Sequence, residues 1–318
     1  MKPSLQRLIQ DFKAGHPRAL ARLITEVENR ENAHEEILEA LYSRVGRAHR
    51  IGITGPPGAG KSTLVDALAL HFQKQGKRVG VIAVDPSSPF TGGALLGDRH
   101  RMTRATQAGI FIRSLATRGS LGGLSEATPF VADLMDAFGF DVVLIETVGV
   151  GQAELDIIHT SDTVVVVLVP ESGDAIQAMK AGLMEIADIF VINKYDREGA
   201  HRFQNELESV LSMQPRREGE WTPPVIPAVA TREQGVPELA EALERHLVYL
   251  KQSGRFLEKR KHRILDEIER TAKDLLWRRL EGRLSEALTQ QWLQRALKGE
   301  ETPYALARRI VEQLSREA

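Results

Sequence analysis

The run Gly55-Pro56-Pro57-Gly58-Ala59-Gly60-Lys61-Ser62 spaces its glycines, lysine and hydroxyl as G-x-x-x-x-G-K-S, with Thr63 next. Each residue type has a use against a phosphate chain. Glycine lets the backbone turn its N–H groups inward around phosphate oxygens. Lys61 would lie against the β- and γ-phosphates, and the Ser62 hydroxyl would ligate Mg²⁺. The aliphatic run Ile51 to Thr54 precedes the loop and an amphipathic pattern, Thr63 to Gln73, follows it. A Gly-rich turn matching by chance would lack that strand-loop-helix context.

Ligands of open α/β sheets collect at the carboxyl ends of the strands, and three acidic residues stand there. Asp85 ends the run Val79 to Val84, Glu146 ends Val142 to Ile145, and Asp98 lies in the loop Thr91 to Arg99. With Ser62 they are the candidate metal ligands. Loop capping is the competing role for Asp85 and Asp98; a lone carboxylate ending an all-aliphatic strand, as Glu146 does, needs a partner. Glu146-Thr147-Val148-Gly149-Val150-Gly151-Gln152 has the look of a nucleotide-sensing switch in which the Gly149 N–H reaches the γ-phosphate, or else of a plain tight turn. Neither Glu146 nor Gln152 is marked as a general base, so hydrolysis would rest on positioning and charge stabilisation. Arg99, Arg101 and Arg104 could contribute charge, or simply form a solvated helix face.

Asn193-Lys194-Tyr195-Asp196 fits N-K-x-D after the run Ile189 to Ile192. The Asp196 carboxylate can accept from the N1–H and exocyclic amine of guanine, and adenine has no N1–H to offer. Lys194 would lay its stem over the base, and Asn193 would tie this loop to the phosphate loop. The stretch Val229-Ala230-Thr231 could add a backbone N–H to guanine O6. The nucleotides implied are GTP and GDP.

The elements that must position these residues follow from periodicity. Residues 1–48 read as helices, with Leu5, Leu8, Ile9 and Phe12, then Leu20, Leu23, Ile24 and Val27, then Ile37, Leu38 and Leu41 at helical spacing. From Arg50 short β-branched runs alternate with helices: Ile51 to Thr54, Val79 to Val84, Ile110 to Ile112, Val142 to Ile145, Thr163 to Val169, Ile189 to Ile192 and Val225 to Val229. Apolar on both faces, they predict buried parallel strands in an α/β fold, a three-layer P-loop architecture. After Leu250 a charge-rich helical tail follows, with an apolar stripe Ile264, Ile268, Leu275, Leu276, Leu280, Leu284 and Leu288, a break at Lys298 to Pro303, and a last helix. The expected domains are a helical extension 1–48, a P-loop domain 49–250 and a helical arm 251–318.

Composition excludes several classes. The 318 residues carry 42 Lys and Arg against 43 Asp and Glu, a net charge of −1, which disfavours a globally basic nucleic-acid binder. No cysteine is present, so disulfides, zinc thiolates, iron–sulfur clusters and thiol catalysis are out. No aliphatic run approaches the ~20 residues that span a bilayer, and no secretion signal opens the chain; a cytoplasmic location is expected. The nine histidines show no H-x-x-H or H-x-x-x-H spacing that would mark a transition-metal site.

Taken together the motifs resemble the MeaB/ArgK-type GTPases, chaperones of adenosylcobalamin-dependent acyl-CoA mutases such as methylmalonyl-CoA mutase. The likeness is carried by Gly55 to Thr63, Val84-Asp85-Pro86-Ser87-Ser88, Thr91-Gly92-Gly93, Leu96-Gly97-Asp98-Arg99, Glu146 to Gln152, Asn193 to Asp196, and Trp221-Thr222-Pro223-Pro224. The resemblance implies a homodimeric GTPase of low intrinsic turnover that binds the mutase, gates cofactor delivery and protects the radical enzyme. By position it implies Mg²⁺ among Ser62, Asp85, Asp98 and Glu146, and a loop Glu171 to Lys180 that answers to the mutase, with Lys180 its functional cation. In the family's base loop small polar residues are usual, whereas Val229 and Ala230 stand here. Two other classes remain open on the residues: a GTP- or ATP-dependent kinase or transport-associated ATPase, and a metal-insertion GTPase.

Overall fold

The computed structural model describes residues 3–29, 33–85, 102–116, 127–147, 157–170, 182–213, 219–281 and 286–315. Seven strands form one sheet: β1 (His49–Thr54), β2 (Val79–Asp85), β3 (Phe111–Ala116), β4 (Val142–Glu146), β5 (Thr163–Leu168), β6 (Ile189–Ile192) and β7 (Val225–Pro227). Their order is β3-β2-β4-β1-β5-β6-β7 and each neighbouring pair runs parallel.

The unbroken aliphatic character of these strands follows from cover on both faces. Val164, Val166 and Leu168 of β5 point into one core, with Ile145, Phe190 and Ile192. That face is covered by α1 (Pro3–Lys13), α2 (Pro17–Asn29), α3 (Ala33–Leu41), α6 (Thr128–Phe138) and α7 (Ala200–Ser212), through residues such as Phe12, Leu23, Ile37, Leu134 and Leu207. Val165 and Val167 point the other way, into a second core with α4 (Lys61–Lys74) and α8 (Val236–Gln252), where Leu64, Leu68, Leu239 and Leu243 are fully buried. The N-terminal helices therefore share a core with the sheet.

Outcomes at the sheet margins have local reasons. β3 continues past Ile112 to Ala116 as an edge strand: Arg113 and Ser114, on opposite faces, are each only half-buried, and Arg113 pairs with Glu28 of α2. β7 stops at Pro227, and Val229 instead forms an antiparallel bridge with Gln234.

Polar residues close the amino edge of the sheet. Arg50 is buried against Asp133 and Asp136, and Asp136 also accepts the backbone N–H groups of Gly46, Arg47 and Ala48 at 2.8–3.0 Å. Burial works against the Arg50 charge, but Asp133, Asp162 and Asp136 outweigh it and hold its pKa above the ordinary value. Beside it, Thr163 Oγ1 lies 2.8 Å from both His49 Nε2 and His246 Nδ1, and His246 Nε2 faces Asp188 at 3.3 Å. Trp221 packs its ring 4.7 Å from His246 and donates Nε1–H to Asp188 O, so the Trp221 to Pro224 segment caps this edge.

The chain divides into two compact units, residues 1–257 and 258–318. In the second lie most of α9 (Arg255–Glu281), α10 (Glu286–Leu297) and α11 (Pro303–Ser315). Here Glu301 accepts from Arg295 and Arg309, Leu306 is buried, and Ile264, Leu265, Ile268, Leu275, Leu276 and Trp277 of α9 are exposed. No helix among the described residues is long and apolar enough to cross a membrane.

Candidate functional site

The loop Gly55–Gly60 leaves the central strand β1 and enters α4 at Lys61, as its pattern predicts. Two of its glycines are required by close approach. Gly55 has φ 137° and a Cβ there would sit 2.1 Å from Val167 O; Gly60 has φ 86° and its Cβ would sit 2.4 Å from Asn193 Nδ2. Ala59 is buried beneath the loop, and Pro56, Pro57 and Gly58 line its outer turn, more open to solvent. Lys61 Nζ donates to Gly55 O (2.8 Å) and Pro56 O (3.2 Å), which holds the ammonium against the loop it follows. Ser62 and Thr63 complete the first turn of α4.

Because β4 lies between β1 and β2, its last residue ends beside this loop: Glu146 is in register with Ile53 on one side and Ala83 on the other. The buried Ser62 hydroxyl donates to Glu146 Oε1 at 2.7 Å. The buried Glu146 carboxylate thus has the partner its setting demands. Next to it Thr147 N–H donates to Ile53 O (3.1 Å) and Thr147 Oγ1 to Thr54 Oγ1 (3.0 Å), tying β4 to β1. These two threonines are positioning residues that sequence reasoning did not single out; their adjacency to Gly55 and Glu146 is the one available signal.

Asn193 joins three loops. Its Nδ2 donates to Ala59 O (2.8 Å), its Oδ1 accepts from Ala230 N–H (3.1 Å), and its own N–H donates to Leu168 O (2.8 Å). The tie to the phosphate loop expected of this residue is present. Lys194 takes a left-handed backbone, φ 57°, which turns the loop so that Tyr195 N–H reaches Ala228 O. Asp196, exposed, lies 3.4 Å from Arg232 Nη2. In the base loop the Val229 N–H donates to Gln234 O and the Ala230 N–H is taken by Asn193, while Thr231 sits exposed in a short 3₁₀ turn, Ala230–Arg232. Arg104 pairs with Glu233 of the same turn.

The structure therefore gathers Gly55–Thr63, Glu146, Asn193, Lys194, Asp196 and Val229–Thr231 along the carboxyl ends of β1, β4, β6 and β7. Asp98, Gly149 and Lys180, with Arg99, Arg101 and Gln152, lie outside the described residues. For Asp85 the backbone alone is described: it ends β2 opposite Ala116. Among the described residues no group of three or more His, Asp or Glu side chains could hold a metal ion.

The family profile for the methylmalonyl Co-A mutase-associated GTPase MeaB matches residues 20–285. The chain belongs to the MeaB family of P-loop GTPases. A Pyrococcus abyssi protein named as a GTPase is 49% identical over 313 residues, 98% of this chain and 97% of that one. The GTPase ArgK of Escherichia coli is 36% identical over 85% of this chain and 84% of its own. The mitochondrial methylmalonic aciduria type A homolog of Mus musculus is 36% identical over 80% of this chain and 66% of its own. A solved structure described as a LAO/AO transport system kinase superposes with a TM-score of 0.71 at 28% identity, over 99% of both chains. The parallel sheet around a central phosphate loop is thus the fold of MeaB-type GTPases.

Proposed function

We propose that this MeaB-family GTPase is a chaperone of an adenosylcobalamin-dependent acyl-CoA mutase, hydrolysing GTP slowly by itself and using the cycle to gate cofactor delivery and protect the enzyme. The observation that carries the reading is the Asn193 bridge. One side chain binds the phosphate loop and the base loop together, so a triphosphate and a guanine can be held in one continuous pocket. The mutase enters through the family's description and through the named relatives.

In this reading the backbone of Gly55–Gly60 surrounds the phosphates, and Lys61 exchanges its carbonyl partners for the β- and γ-phosphate oxygens. The fit for Mg²⁺ is tested by the donor set: a hydroxyl and a carboxylate, both hard oxygen ligands, already meet at 2.7 Å. Ser62 and Glu146 would hold the ion, with Asp85 and Asp98 as the remaining carboxylate candidates. Magnesium supplies positive charge against the charge that develops on the transferring phosphoryl group. Asp196 orients the base. Lys180 and Gly149 are assigned to partner response and γ-phosphate sensing, and residues 251–318 to pairing two copies through the apolar stripe of α9.

The test is GTP turnover with and without adenosylcobalamin-dependent mutases from the same organism. A rise on adding one of them is expected; no stimulation by any would overturn the chaperone role. A kinase reading is favoured by one observation, the likeness to the transport-system kinase structure. GTP labelled at the γ-position separates the two. Label appears as free phosphate for the GTPase and stays on an acceptor for the kinase.

A further inference from the structure

Arg232 and Glu233 are consecutive on the turn that follows β7, and each reaches a different part of the site. Arg232 pairs with Asp196, the carboxylate assigned to the guanine edge. Glu233 Oε1 accepts from Arg104 Nη2, and Oε2 lies 3.8 Å from Lys74 Nζ. The turn between them is closed by the hydrogen bond from Val229 N–H to Gln234 O and by the bridge of the same pair. Glu233 itself has φ 57°, a left-handed backbone that few non-glycine residues adopt.

The other end of the contact is anchored as firmly. Arg104 belongs to α5 (Thr103–Gln107), whose own N-cap offers no side-chain hydrogen bond. Instead Asp66 of α4 accepts the Ala105 N–H at 2.8 Å, and Gln73 of α4 donates to Ala108 O at 3.0 Å. Ala105 and the preceding Met102 are fully buried. Lys74 is the last residue of α4, the helix that begins with Lys61 and Ser62. Arg104 and Lys74 therefore converge on Glu233 from a fixed base continuous with the phosphate loop. Held between two cations, the Glu233 carboxyl stays below the usual carboxylate range, with the Arg104 hydrogen bond as the main cause.

We propose that Arg104 and Glu233 form a strut that fixes the turn Val229–Gln234 against α4 and α5, so that Arg232 presents Asp196 in the geometry that reads guanine. Both are positioning residues for base specificity. The proposal rests on the guanine-site reading above. The strut is a half-exposed ion pair, so its effect is modest and falls on selection of the base rather than on chemistry.

The experiment compares affinities for GTP and ITP, which lacks the exocyclic amine that Asp196 would accept from. Glu233→Gln and Arg104→Gln should each lower the GTP-to-ITP preference by about two- to fivefold. In Glu233→Gln the rate at saturating GTP should stay unchanged, so the loss falls on KM. Arg104→Lys, which keeps a cation facing Glu233 beside Lys74, should retain more of the preference than Arg104→Gln, a difference that a merely loosened fold would not produce. An unaltered preference in both glutamine variants, at unchanged thermal stability, overturns the strut. If the unaltered protein itself fails to prefer GTP over ITP, the base-reading role of Asp196 has failed and the strut falls with it.

Discussion

The Ser62 hydroxyl donates to Glu146 Oε1 across 2.7 Å, joining the first turn of the helix after β1 to the last residue of β4. A sheet order that puts β4 directly beside β1 makes this contact possible, although 84 residues separate the two in sequence. Glu146→Gln keeps the shape and removes the charge. A hydrogen bond to a charged group contributes about 1.5–3 kcal/mol, so Mg²⁺-dependent GTP turnover should fall by about tenfold to a hundredfold. Steady-state turnover across a magnesium titration checks this. A rate indistinguishable from the unaltered protein's removes Glu146 from the metal side of the site.

The loop glycines are not equivalent, and alanine should separate them. At Gly58 (φ 75°) a Cβ meets nothing within 4 Å, so Gly58→Ala pays only the left-handed backbone, about 1 kcal/mol. At Gly55 the added carbon would lie 2.1 Å from the Val167 carbonyl oxygen in a conformation that is nearly glycine-only. Either that oxygen or the loop must move, at a cost of about 3 kcal/mol or more. Denaturant unfolding of the two variants measures the difference. Equal losses would contradict the close approach of β5 to the loop.

Much of this site was legible because its chemistry is local. The phosphate loop and N-K-x-D each sit within a few consecutive residues, and strands covered on both faces read as unbroken aliphatic runs such as Val164 to Leu168. What the sequence hid is what folding brings together from afar. Arg113 and Ser114 made β3 look finished at Ile112, since an edge strand is covered less fully and can carry half-buried polar residues. Asp66, Arg232 and Glu233 look like ordinary surface or loop residues until Ala105, Asp196 and Arg104 are placed beside them. The cluster of His49, Thr163, Asp188 and His246 is similar: the first three stand at the starts of strands, where a polar residue is unremarkable, and His246 is one polar position within the helix α8.

Asp196→Asn replaces an acceptor-only carboxylate with an amide that also donates. Guanine then meets an N–H where its own N1–H and amine need acceptors, whereas xanthine offers a carbonyl oxygen in place of the amine. GTP affinity should drop by about fivefold to 150-fold, in line with about 1–3 kcal/mol for a polar group left unpaired once the base covers it, and XTP should gain. Competition binding with the two nucleotides reads both changes. Full retention of GTP affinity would contradict the assignment of Asp196 to the base.

The amino-edge cluster predicts an acid-sensitive fold. Burial pushes the His49 imidazole down to about 4, against the attraction of Asp162 and with help from His246, Lys77 and Lys251. Thr163 Oγ1 lies 2.8 Å from His49 Nε2, so the neutral imidazole of His49 can donate its Nε2–H to that hydroxyl oxygen. The folded pKa lies below the unfolded value of 6.5, so between those limits the unfolded chain binds the proton and the folded one does not. Stability from this residue is therefore whole above the unfolded pKa and is lost as pH falls through the window, by about 1.4 kcal/mol per unit and roughly 3 kcal/mol in all. His49→Gln retains an amide donor for Thr163 without a titrating group. Urea unfolding at pH 7 and pH 5 should show a smaller drop for the variant than for the unaltered protein; equal drops would mean that His49 is not the group that charges.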